Sequence, residues 1–174
     1  MPSEILFSEK QRFTQWWLWI LLLGINGLLL AGLFYQIGTG RHFGSKPVSN
    51  TALLLVAGST LLLTALFLSF RLETVLKTEG IYVRFVPLHS KAHFYPWNSL
   101  SHCYLRQYSP LKEYGGWGIR YSPFGKGTAF NISGNKGLQL ETTAGKKILI
   151  GTRRSEQITA VLAQIGQPNK AGGV

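Results

Sequence analysis

The sequence predicts a transmembrane hairpin of two helices carrying an α+β, mainly β, domain of about seven antiparallel strands capped by a C-terminal α-helix. Three observations predict it. Residues 16–36 and 50–70 are runs of about 20 residues without Asp, Glu, Lys or Arg, the length an α-helix needs to cross a hydrocarbon core of roughly 30 Å. After Phe70 this pattern gives way to short alternating segments parted by turn residues, as in an antiparallel sheet. Near the end, Ile158, Val161, Leu162 and Ile165 fall on one stripe of a helix.

Residues 1–15 read as a cytoplasmic tail. The apolar run that follows exceeds the roughly 7–15 residues of a secretory leader, so no cleavable signal is expected. The hairpin occupies residues 16–70. Trp16, Trp17 and Trp19 open its first helix and Phe34 and Tyr35 close it, which suits rings seated at the two headgroup levels. The connection at 37–49 holds Gly38, Gly40, Gly44 and Pro47 with Arg41, His42 and Lys46, a composition whose backbone needs water. Small and polar residues at Gly24, Asn26, Gly27, Ala31 and Gly32 in one span and Ala57, Gly58, Ser59, Thr60 and Thr64 in the other are expected to let the helices approach closely, with Gly24, Gly27, Ala31 and Gly58 as the packing positions. Asn26 is the strongly polar side chain well inside a span, and ionisable groups are missing there, which points to an anchor and away from a conduction path. Lys10 and Arg12 before the hairpin, with Arg71, Lys77 and Arg84 after it, outnumber Arg41 and Lys46 between the helices. Both termini are therefore expected on the cytoplasmic side.

The domain, 71–166, should begin with a hairpin of strands 71–78 and 81–86 around Glu79-Gly80, with Ile81, Val83 and Phe85 on one face. Pro87 and Pro96 bracket a short edge segment at 90–95. Strands at 101–108, 117–121, 129–133, 137–142 and 146–152 follow, with a loop at 109–114, another around Phe124-Gly125-Lys126-Gly127, and tight turns at Gly134-Asn135 and Ala144-Gly145. Ser155 is the expected N-cap of the last helix and Gly166-Gln167-Pro168 its stop. Residues 167–174 read as a polar tail.

Of the 174 residues, roughly 100 remain outside tail and hairpin, enough for one domain. Eighteen Lys and Arg against seven Glu give a formal net charge of +11. For a chain tied to a bilayer, the nearest anion is the lipid surface, where each Lys or Arg is worth about 1 kcal/mol; nucleic acid is an unlikely partner. The lone Cys103 excludes an intrachain disulfide and a paired-thiol metal site.

Catalytic patterns are missing. His89 and His93, on a strand, would sit about 13 Å apart on one face, with no carboxylate beside them. His102 and Cys103, as strand neighbours, point to opposite faces, leaving Cys103 buried and inert. In Gly38-x-Gly40-x-x-x-Gly44-Ser45-Lys46 the Lys follows the Ser, against the phosphate-loop order. The glutamates are scattered, and a nucleophile elbow is absent. No enzyme, cofactor or metal is expected. The candidate anion- or partner-binding residues are Arg120, Lys126, Lys146, Lys147, Arg153 and Arg154. Arg120, among glycines on an apolar strand, either pins the sheet or reads an anion.

Tyr114-Gly115-Gly116-Trp117-Gly118-Ile119-Arg120, the run from Ala129 to Leu140 and the strand from Lys147 to Thr152 ahead of a helix resemble the bacterial membrane proteins with a pleckstrin-homology-like (PH-like) domain. The resemblance implies a β barrel of two orthogonal sheets plugged by the helix, set in the inner membrane, and no particular activity. The acidic Glu79-Gly80 loop lacks the grouped Lys and Arg of inositol-phosphate binders. The function expected is that of a non-catalytic inner-membrane protein whose domain mediates protein interaction, self-association or assembly. Binding of anionic lipid headgroups by the basic face is the alternative, and an uncharacterised enzyme a third.

Overall fold

The structure, a computed structural model, describes residues 4–44, 48–123 and 125–166. Ser45, Lys46 and Pro47 of the connection, Phe124 of the glycine loop, Gln167 and Pro168 of the helix stop, and the tail 167–174 lie outside the described residues. The chain forms two compact units: Thr14–Ser69, and Met1–Phe13 together with Phe70–Val174.

The first unit is a pair of helices, α1 (Trp16–Thr39) and α2 (Asn50–Ser69), both long and apolar enough to cross a membrane. Their seam buries Leu22, Asn26, Leu33 and Gln36 against Leu53, Ala57 and Thr64. Polar side chains bridge it. Asn26 Nδ2 donates to Thr64 Oγ1 at 2.8 Å, and the Thr60 hydroxyl donates to Asn26 Oδ1 at 3.0 Å. Near the connection, Gln36 Nε2 donates to Asn50 Oδ1 and the Val48 carbonyl, while the Phe43 amide donates to Gln36 Oε1. Of the residues expected there, Asn26, Gly32, Ala57, Thr60 and Thr64 supply this seam, while Gly24, Gly27, Ala31 and Gly58 do not. Around Gly24, Gly27 and Gly58 an added Cβ would meet nothing within 4 Å, and Ala31 is exposed. Amides in apolar surroundings need partners, so Asn26 and Gln36 set the rotation of the helices where glycines cannot.

Among the described residues, the second unit is built from nine strands in two sheets. One has the order β1-β2-β3-β4, the strands being Ile5–Arg12, Arg71–Lys77, Gly80–Val86 and His93–Pro96. The other has the order β5-β8-β9-β7-β6, from β5 (Leu100–Gln107), β6 (Gly118–Tyr121), β7 (Thr128–Asn131), β8 (Lys136–Thr142) and β9 (Lys147–Gly151). A short helix α3 (Pro110–Tyr114) follows β5, and α4 (Ser155–Gln164) follows β9.

This topology overturns the expected PH-like β barrel of about seven antiparallel strands. Both sheets are open, and β7 runs parallel to β9. The Gly134-Asn135 turn does not join neighbours as a tight hairpin would. The chain passes from β7 to β8, which pairs with β5, and β9 then fills the space between β8 and β7. The glycine signature around Trp117 is therefore no guide to the fold.

Residues read as the N-terminal tail supply β1, antiparallel to β2 from Ile5 opposite Lys77 to Arg12 opposite Arg71. The hairpin helices are thus inserted between two adjacent strands of one sheet. Alternation explains β2 and β3, which bury Leu72, Thr74 and Leu76, and Ile81, Val83 and Phe85. In β1 the buried face is Phe7, Glu9 and Gln11, two of them polar.

Core side chains from both sheets meet those of α4, whose Ile158, Val161 and Leu162 face inward as their spacing predicts. Ser155 is the first helical residue and not the N-cap, a position held by Arg154 without a side-chain cap. The segment read as a loop at 109–114 contains α3, begun by Ser109 accepting from the Lys112 amide and ended at Gly115 with φ of 71°. Tyr114 of α3 joins Tyr108, Ala129 and Leu149 in a second, smaller core.

Candidate functional site

The connection between β3 and β4 folds back on itself. The His89 amide donates to the Phe85 carbonyl at 2.8 Å, and the Phe85 amide donates to His89 Nδ1 at 3.3 Å. This return brings the His89 and His93 rings edge to face, with centroids 4.3 Å apart, and sets both against Phe130 of β7 at 5.6 and 6.0 Å. The 13 Å separation expected for one straight strand is not found, because Pro87 opens a turn. Burial lowers the His89 pKa from its ordinary value, and the charge of His93 lowers it further. Burial also raises the Tyr95 phenol.

These rings form one wall of a cleft of about 600 Å³. Ile119 and Tyr121 of β6, Phe130 and Ile148 make the apolar part of its lining, and Lys146 and Lys147 stand at the start of β9. Among the described residues, no carboxylate lines it. Gly127, at φ of 82°, lies so close to the Lys147 carbonyl that a Cβ there would collide with it. The backbone of the loop after β6 therefore closes directly on β9, a contact that requires glycine. Such a site offers an apolar floor with cationic edges, suited to an acidic group that carries an apolar body.

The candidate residues distribute unequally. Lys146 belongs to the cleft, and Lys147 lines both the cleft and a recess on the other face of the same sheet, where Lys126 donates to Glu113 Oε2 at 3.1 Å. Glu113 also receives Arg106 at 2.9 Å and the Ser109 amide at 2.8 Å. Burial raises the Glu113 carboxyl, but the Ser109 amide, Lys126 and Arg106 outweigh it and hold the pKa below its ordinary value. Arg120 is exposed, and its Nε donates to the Trp117 carbonyl at 3.0 Å. As the neighbour of Ile119 and Tyr121 on β6, it points away from the cleft.

Arg153 and Arg154 lie at the other end of β9, where a recess of about 490 Å³ also takes in Lys136 and Ser155. Arg153 Nε donates to Ser133 Oγ at 2.7 Å. There the Thr152 hydroxyl donates to Glu9 Oε2 at 2.6 Å, and the Arg153 amide to Glu9 Oε1 at 3.0 Å. The six candidates thus form no single basic face.

Cys103 is buried in the core, its thiol pushed up to about 12 by burial, while its neighbour His102 faces outward 3.5 Å from Glu141. Among the described residues, no three of His, Cys, Asp or Glu gather as metal ligands would. Sequence reasoning overlooked the cleft because its walls are far apart in the chain; the two prolines around the histidines were the one local sign of a turn. No protein-family model matches the chain, and no curated protein matches it.

Proposed function

We propose that this chain is a non-catalytic contact protein of a cytoplasmic membrane. In this reading α1 and α2 span the bilayer, β1 and the domain lie on the cytoplasmic side, and the cleft receives an acidic, apolar-tipped segment of a protein partner. The observation that carries the reading is the pairing of β1 with β2 across the inserted helices. A pair of crossing helices returns the chain to the side it left, and strands that hydrogen-bond to each other must share that side. The excess of Lys and Arg flanking the helices over those between them supports the cytoplasm as that side. Contact, as against turnover, is supported by what the polar groups do. Glu9, Glu73, Glu113 and Glu141 are engaged in pinning strands and loops, and none of them faces the cleft.

The test is a photo-crosslinking residue placed at Tyr121 or, as the control on the opposite face, at Arg120 of the full-length chain in living cells. A discrete adduct from position 121 is expected, missing from position 120 and lost when Lys146 and Lys147 are both changed to Glu. Equal adducts from both positions, or an adduct indifferent to the lysines, refute the docking role.

A further inference from the structure

The outward face of the first sheet changes character along its strands. The register sets Arg12 opposite Arg71, and Lys10 opposite Glu73, which in turn faces Arg84 on β3. All five side chains stand on the face away from the core. The next row is Ser8, Val75 and Tyr82, and beyond it Tyr82 stacks on Phe94 at 4.5 Å with Lys77 over its ring. Cations therefore crowd one end of the face: Lys10, Arg12, Arg71 and Arg84 around a single carboxylate.

That end is where the helices leave. Only Phe70 separates Arg71 from the end of α2, and three residues separate Arg12 from the start of α1, a reach of at most about 14 Å. Glu73 orders the group without neutralising it. It meets Arg71 and Arg84 through their Nε atoms at 3.1 and 3.2 Å, and Lys10 at 3.7 Å. Both contacts are ion pairs by distance, without a hydrogen bond at Nε, so the Nη donors remain to offer, and a guanidinium with two such donors matches a phosphate. The residual charge of this cluster is +3, four cations less one carboxylate.

We infer that Arg12, Arg71 and Arg84 bind the phosphate of an anionic phospholipid in the leaflet from which the hairpin emerges. The inference rests on the spanning reading above. It assigns lipid recognition to residues other than Arg120, Lys126, Lys146, Lys147, Arg153 and Arg154, none of which is tied by the chain to the ends of the helices. A lipid phosphate is favoured over a free one because Arg12 and Arg71 are held at the headgroup level, where such phosphates are concentrated.

The experiment uses the full-length chain in vesicles of equal phosphatidylglycerol and phosphatidylcholine, with flotation first and native mass spectrometry of retained lipids second. Wild type should float and retain phosphatidylglycerol in preference, and the preference should fall about fivefold for each arginine changed to Gln. Arg12→Gln gives its share without disturbing the Glu73 cluster, and Lys146→Gln with Lys147→Gln should leave the lipid preference as in wild type. A chain that floats yet retains both lipids equally, or keeps its preference in the triple variant, overturns the inference alone. Loss of the preference to added inorganic phosphate makes this a free-anion site and also overturns it. A chain that does not float overturns the spanning reading, and this inference with it.

Discussion

Glu113 shows how a single side chain here is spent on structure. It gathers the Ser109 amide, Arg106 and Lys126 around one carboxylate and so fixes α3 over the outer face of the second sheet. Because its pKa in the fold lies below the ordinary 4.5, its stabilising effect is present above that value and is lost as pH falls through the folded value. Glu113→Gln should therefore give a flatter acid limb in denaturation curves, less stable than wild type at neutral pH and converging with it in acid. Parallel curves across that range would show that the ion cluster contributes nothing. Arg120 is the opposite case: its setting among glycines suggested a buried or reading charge, yet its exposed side chain is satisfied by the Trp117 carbonyl three residues away. A composition rule cannot see a contact set by local backbone direction.

At the scale of elements, legibility followed the kind of face buried. The stripe on α4 and the alternation in β2 and β3 were visible because the buried residues are apolar. Strand β1 was invisible because Glu9 and Gln11 occupy its buried face, where period-two apolarity would have been the signal. Those two side chains act as connectors. Gln11 Nε2 donates to the Gly151 carbonyl at 2.6 Å, and Glu9 receives Thr152 and Arg153, so β1 is tied to the segment that leads into α4. Glu9→Ala leaves the Thr152 hydroxyl and the Arg153 amide without that acceptor and should cost about 1.5–3 kcal/mol, read as a lowered denaturation midpoint with an unchanged slope. A loss within a few tenths of a kcal/mol would mean that β1 is held by its ladder alone. The parallel placement of β9 beside β7 was likewise illegible, since it depends on which distant strand fills a space and not on any turn.

For the whole molecule, the plan of hairpin plus domain was legible from hydropathy and alternation, while the cleft was not, because its walls come from β4, β6, β7 and β9. The spanning reading makes a direct prediction. Ser8→Cys, Thr143→Cys and His42→Cys each place a thiol at an exposed position, against a quiet background, since Cys103 is buried and its thiol sits near 12. In intact cells a membrane-impermeant maleimide should label position 42 alone; after permeabilisation it should label all three. Labelling of position 8 or 143 in intact cells would invert the arrangement.

The split first sheet also orders events during synthesis. The ribosome releases β1 before either helix and β2 only after both, so the ladder from Arg12–Arg71 to Ile5–Lys77 cannot zip until both helices are made and, on the spanning reading, until the hairpin has gone over and come back. A nascent chain whose leading end strayed across the bilayer would hold one half of that seam on each side, with Leu72 and Leu76 uncovered along one flank. On the spanning reading, correct insertion is thereby a precondition of domain maturation, and each finished domain certifies the threading of its own anchor.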